Sequence, residues 1–172
     1  MKESAEKSTL SVKAEMELRK ENAPRILTPD PSLKELNIFT GEWNVEGRNA
    51  DDAPFIAGAK IQGTESYEWL EGNFFLVYKW SRHFGSSEHS GIGLIGYDKS
   101  AHGIVVNNYD NLGFMRRYNL SFEDNSWKFF GENERAILKF SDDRKSFAEK
   151  WEILRDASEW KLLCELKATR IK

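Results

Sequence analysis

The stretch from Gly58 to Phe84, GAKIQGTESYEWLEGNFFLVYKWSRHF, constrains the fold more than any other part of the chain. In its first half Ile61, Tyr67 and Trp69 share one parity, while Lys60, Gln62, Thr64, Ser66 and Glu68 share the other. Successive strand side chains point to opposite faces, so this half reads as a strand with one buried and one wet side. The second half opens apolar on both parities, at Phe74, Phe75, Leu76 and Val77, then alternates from Tyr78 to His83. Between the halves, Gly72-Asn73 suits the positive φ of a two-residue hairpin turn. Such a turn sets Trp69 opposite Leu76, Tyr67 opposite Tyr78 and Glu65 opposite Trp80, and the apolar parities of the two arms then coincide. Long hairpins twist and coil, so this one is expected to form part of a curved sheet.

The remainder repeats the pattern. Gly41 to Gly47, His89 to Asp98, His102 to Tyr109, Gly113 to Phe122, Ser126 to Glu132, Arg135 to Phe140, Ser146 to Leu154 and Glu159 to Arg170 all read as strands. They recur at roughly the 8–12-residue spacing of successive antiparallel strands, with turn residues between. No crossover-length helix separates them, which argues against a parallel sheet. The expected fold is all-β: an antiparallel up-and-down β-barrel of about ten strands, with room for a small ligand. Glycines at 91, 93 and 96 within one strand mark bends or close approach. Ahead of the strands, Thr28-Pro29-Asp30-Pro31-Ser32 is a helix-start signal, and Leu33, Leu36 and Phe39 then present one apolar stripe. A short helix to about Phe39 is expected, placed to close one end of the barrel. Residues 1–27 are expected to form a mobile or loosely docked arm and residues 28–172 the barrel domain.

Composition narrows the function classes. The chain has 172 residues and a net charge of -3, which gives no electrostatic case for nucleic acid or an anionic membrane surface. Six Trp and 13% aromatic residues favour a β-rich interior. Cys164 is the sole cysteine, so no disulfide framework or thiolate cluster is expected. The N-terminus shows no apolar run of the secretory kind, and a cytoplasmic protein is the expectation. His83, His89 and His102 match no metal signature. The Gly91-x-Gly93 pattern lies within a strand and fails the context of a phosphate loop. No catalytic residue, metal or cofactor is assigned.

The residues that stand out are charged groups on otherwise apolar faces: Glu65, Arg82, Arg116 and Glu149. An unpaired buried charge is costly, so each should find an ion-pair partner or meet a ligand. Glu65 and Arg82 are diagonal neighbours in the hairpin register, at the roughly 7–8 Å that long side chains bridge. Tyr78, Trp80, Tyr118, Trp151 and Trp160 are expected to wall the interior. Together Glu65, Tyr78, Trp80, Arg82, Arg116, Tyr118, Glu149 and Trp151 form the candidate ligand site, with Arg82 or Arg116 meeting a polar or carboxylate head.

Several pieces occur in a familiar order. Gly41-Glu42-Trp43 follows the short helix, then come Glu68-Trp69-Leu70-Glu71-Gly72-Asn73-Phe74-Phe75 and Ile95-Gly96-Tyr97-Asp98, and two late turns lead into Trp127 and Trp160. From Leu33 to Arg170 the chain resembles a bacterial family of single-domain, lipocalin-like (calycin) barrels classed as a domain of unknown function. More distantly it is similar to nitrobindin-like haem barrels, which also open with G-x-W. Those use a histidine late in the chain, and none follows His102 here. The resemblance implies the barrel and no established reaction. The expected function is binding of a small, mostly apolar or amphiphilic ligand. The alternatives are an isomerase, cyclase or hydrolase acting on a hydrophobic substrate through Glu149 or Glu65, and a filled barrel that serves as an interaction module or homodimer.

Overall fold

The computed structural model describes residues 27–155 and 159–171. The expected arm, apart from Leu27, and the turn at 156–158 lie outside the described residues. A 3-10 helix spans Pro31–Ile38, with Asp30 as its N-cap accepting from the Ser32 amide at 3.0 Å. Three residues per turn bring positions i and i+3 into line, so Leu33, Leu36 and Phe39 fall on one face. All three are buried. The sequence led to a short helix here, and its i, i+3 stripe suits the tighter winding.

Ten strands follow: β1 (Gly41–Asn49), β2 (Lys60–Trp69), β3 (Phe75–Phe84), β4 (Ser87–Asp98), β5 (Gly103–Asp110), β6 (Met115–Glu123), β7 (Ser126–Phe130), β8 (Glu134–Phe140), β9 (Ser146–Arg155) and β10 (Glu159–Arg170). Each pairs antiparallel with its predecessor, and β10 returns to β1, setting Trp43 opposite Arg170 and Val45 opposite Ala168. The sheet is therefore a closed barrel without a free edge. Phe39 plugs the end where β1 begins, with its ring 5.2 Å from both Trp127 and Phe140 and 5.4 Å from Tyr67. Trp43 Nε1 donates to the Phe39 carbonyl at 2.7 Å, and Arg170 lies over the Trp43 ring at 4.1 Å.

In the β2–β3 hairpin Trp69 faces Leu76, Tyr67 faces Tyr78 and Glu65 faces Trp80, the register that its alternation demands. Its loop is longer than the expected two residues. Leu70 still pairs with Phe75, and the Asn73 amide donates to the Leu70 carbonyl at 2.9 Å. Gly72 at φ +88 takes the third position of that turn, where a positive φ is required. The register survives because both loops are centred on the same residues.

One expectation is overturned. Trp160 does not wall the interior with Tyr78, Trp80, Tyr118 and Trp151, because the β9–β10 register shifts between Leu162 and Cys164. The extra residue, Leu163, forms a β-bulge and exchanges the faces on either side of it. Trp160 instead packs near Phe130, ring centroids 6.0 Å apart, beneath the Arg135 guanidinium at 4.4 Å. Phe122 and Phe114, which share the parity of the buried Tyr118 and Leu120, are about half exposed near the two ends of the barrel. Among the described residues no helix is long and apolar enough to cross a membrane.

Candidate functional site

The half of the barrel away from the Phe39 plug encloses a cavity of about 530 Å³. Two glycines let side chains of its wall lie close against the sheet. Gly91 and Gly93 occupy inward positions on β4, and a Cβ there would lie 2.2 Å from the Trp80 ring and 2.3 Å from Asn108 Oδ1. The neighbouring strands lean their side chains over these bare positions. On β2 and β3, Tyr67, Tyr78 and Trp80 stack in succession with centroids 4.6 and 4.9 Å apart. On the other side, Tyr118 packs edge to face on Phe129 and on Trp151, 5.6 Å from the latter, and Phe129 and Trp151 are tilted against each other. Strands β3 and β8 stand half the ring apart, so these are facing walls.

The mouth is formed by the β1–β2 loop, the β3–β4 turn and the β5–β6 turn, which contribute Phe55, Ile56, Glu88, Leu112 and Phe114. Phe55, Ile56, Leu112 and Phe114 are exposed there. Ile56 has φ +44, a strained conformation for a β-branched residue. The buried Asn49 side chain holds it there, donating to the Phe55 and Ile56 carbonyls at 2.8 and 3.1 Å.

Polar groups are threaded through these walls in two networks. In the first, Arg82 Nη2 pairs with Glu65, donates to the Tyr78 hydroxyl at 3.1 Å and lies 3.9 Å from Glu149. Tyr67 donates to Glu65 Oε2 at 3.1 Å, and Trp151 Nε1 donates to Glu149 Oε2 at 2.7 Å. In the second, Arg116 bridges Asp110 at 2.6 Å and Glu134 at 3.3 Å. The Tyr118 hydroxyl donates to Glu134 at 2.7 Å, and His89 meets Asp110 at 3.2 Å.

Burial, reinforced by the nearby carboxylates, holds the Tyr67, Tyr78 and Tyr118 phenols well above their ordinary range, so all three stay protonated. Burial pushes the Cys164 thiol up to about 12 and leaves it a poor nucleophile. Burial alone would raise the Asp110 carboxyl. Hydrogen bonds from the Phe114 amide, Arg116 and His89 outweigh it and keep that carboxyl below its usual value. Arg82 Nε and Asn108 Oδ1 are buried without a partner among the described residues. Such atoms are uncommon in folded proteins and tend to mark sites kept for function.

Of the eight candidate residues, Tyr78, Trp80, Arg82, Arg116, Tyr118, Glu149 and Trp151 line this one cavity. Glu65 lies behind the wall, held against Arg82. Asp110 and Glu134 escaped the sequence reading because both were assigned to turns. Each continues an inward alternation by one step, Asp110 after Val106 and Asn108, and Glu134 ahead of Ala136 and Leu138. Extending the period across the strand end would have found them. Asn108 lay on a strand whose two faces were both mixed, and the structure turns its parity inward with Ile104 and Val106. Among the described residues no cluster of His, Cys, Asp and Glu could hold a metal ion.

The model of the family described as protein of unknown function, DUF1579, matches residues 28–129. That is more than half of the 172 residues. The chain belongs to the DUF1579 family. A crystal structure of Rv2717c from M. tuberculosis superposes on this DUF1579 protein with a TM-score of 0.62 at 12% identity, covering 84% of this chain and 99% of that one. At such identity the likeness is one of fold. A de novo designed fluorescence-activating β-barrel gives a TM-score of 0.43 at 12% identity, over 78% of this chain and 94% of that one. No curated protein matches the DUF1579 chain in sequence.

Proposed function

We propose that this protein binds a small, mostly apolar molecule with a polar head inside its barrel. The observation that carries this reading is the cavity of about 530 Å³, open at the end opposite the Phe39 plug and walled by Tyr78, Trp80, Tyr118 and Trp151. Ligand sites of roughly 300–1,000 Å³ are lined mainly by apolar and aromatic groups, with a few convergent polar ones. Here the rings supply the apolar area, and the two ion-pair networks supply the polar points.

Two features support binding over catalysis as the reading. The one thiol is held protonated by burial. The histidine at the mouth is engaged with Asp110 rather than with a nucleophile. A titration with Nile red, an uncharged apolar dye, tests the reading. The expected result is saturable, one-to-one enhancement of dye fluorescence with concurrent quenching of tryptophan emission. At a ligand concentration of about 100 Kd, mass action adds roughly 2.7 kcal/mol. For a chain of this size that raises Tm by about 5–10 °C. A linear, non-saturating response with unchanged Tm would count against cavity binding.

A further inference from the structure

The charge of the two networks that back the cavity is unbalanced. Their two guanidiniums are each shared between carboxylates, Arg82 by Glu65 and Glu149, and Arg116 by Asp110 and Glu134. His89 is the one further basic group among the described residues lining the cavity, and it already faces Asp110. Even with His89 protonated, the four network carboxylates outnumber the three cations, and Glu149 and Glu134 are the two of them that line the cavity. An arriving anion would meet two guanidiniums already shared between carboxylates, with Arg82 Nε the one buried guanidinium donor left without a partner among the described residues.

The excess falls where the aromatic wall is. Glu134 accepts from Tyr118, Glu149 accepts from Trp151, and those two rings touch edge to face at 5.6 Å. Surplus carboxylate in a low-dielectric pocket is costly unless a cation or a proton accompanies it. An organic cation offsets that cost and is drawn to Trp and Tyr ring faces within about 6 Å. Asn108 Oδ1 adds a buried acceptor with no donor among the described residues.

Building on the cavity-binding reading, we infer that the guest is cationic: an amine or quaternary ammonium head carrying an apolar tail, seated between Glu134, Glu149, Tyr118 and Trp151. Its test compares three ligands with one tail, decyltrimethylammonium, decanoate and decanol, each titrated below its micellar concentration and followed by tryptophan fluorescence. The ammonium is expected to bind at least roughly tenfold more tightly than decanoate, and more tightly than decanol. In Glu149→Gln and, separately, Glu134→Gln, the preference for the ammonium over decanol is expected to fall by roughly three- to tenfold. Decanoate or decanol binding as tightly as the ammonium would overturn the inference and leave the cavity reading standing. No saturable binding by any of the three would overturn the cavity reading itself. The wild-type series decides even where a variant fails to fold.

Discussion

Removing the Arg82 guanidinium tests whether the cavity wall is held by a buried ion pair. The Glu65 side chain is fully buried and that of Arg82 is 11% exposed, so solvent screens the pair little. Arg82→Met keeps most of the aliphatic bulk and deletes the charge. Glu65 then keeps the Tyr67 hydroxyl but no cation, and Glu149 loses the guanidinium 3.9 Å away. Breaking one partner of a buried pair costs about 3–5 kcal/mol, whereas replacing both partners is often close to neutral. The single variant should fall in that range, with a drop in Tm on the order of 10 °C for a chain of this length. Adding Glu65→Gln should recover about half or more of the loss, a coupling of about 2 kcal/mol in a double-mutant cycle. Urea unfolding followed by circular dichroism measures all four corners of the cycle. A single-variant cost below about 1 kcal/mol, or simple additivity of the two substitutions, would refute the buried pair.

Other consequences are open to simple assays. Phe39→Ala should cost about 3–5 kcal/mol in urea unfolding, because it removes a buried ring from the plugged end, while Nile red binding at the far end persists. The Asp110 carboxyl is held below its unfolded value, so its stabilisation is complete above the unfolded pKa of about 3.9 and is lost as pH falls through the folded value. Asp110→Asn should therefore lower Tm at pH 7, and the gap from wild type should close in scans below about pH 4. With its thiol pushed up to about 12, Cys164 should resist iodoacetamide at pH 8 in the native protein and react once urea is added, as read by mass spectrometry.

The fold was largely legible because its signals are local. Alternation in residues 60–69 and 74–83 fixed the β2–β3 register, and the i, i+3 repeat of Leu33, Leu36 and Phe39 marked the plug. The site was legible in part. A charge on an apolar parity, as at Glu65, Arg82, Arg116 and Glu149, is visible along a single strand. Its partner need not be, because it can stand on a strand that is not a neighbour: Arg82 on β3 nears Glu149 on β9, and Arg116 on β6 meets Glu134 on β8. The bulge at Leu163 was hidden for another reason. An extra residue reverses parity without any change in composition, so Trp160 kept the appearance of an inward ring.

Cavity binding is tested most directly by the indole N–H resonances of the six tryptophans during a titration with decyltrimethylammonium. Trp80 and Trp151 line the cavity, Trp43 is tied to the Phe39 carbonyl at the plugged end, and Trp160 packs with Phe130 and Arg135 away from the cavity. The expected result is saturable movement of the Trp80 and Trp151 signals with those of Trp43 and Trp160 fixed. Movement of Trp160 with Trp80 and Trp151 unchanged would place the ligand on the outer surface and contradict a binding site within the barrel.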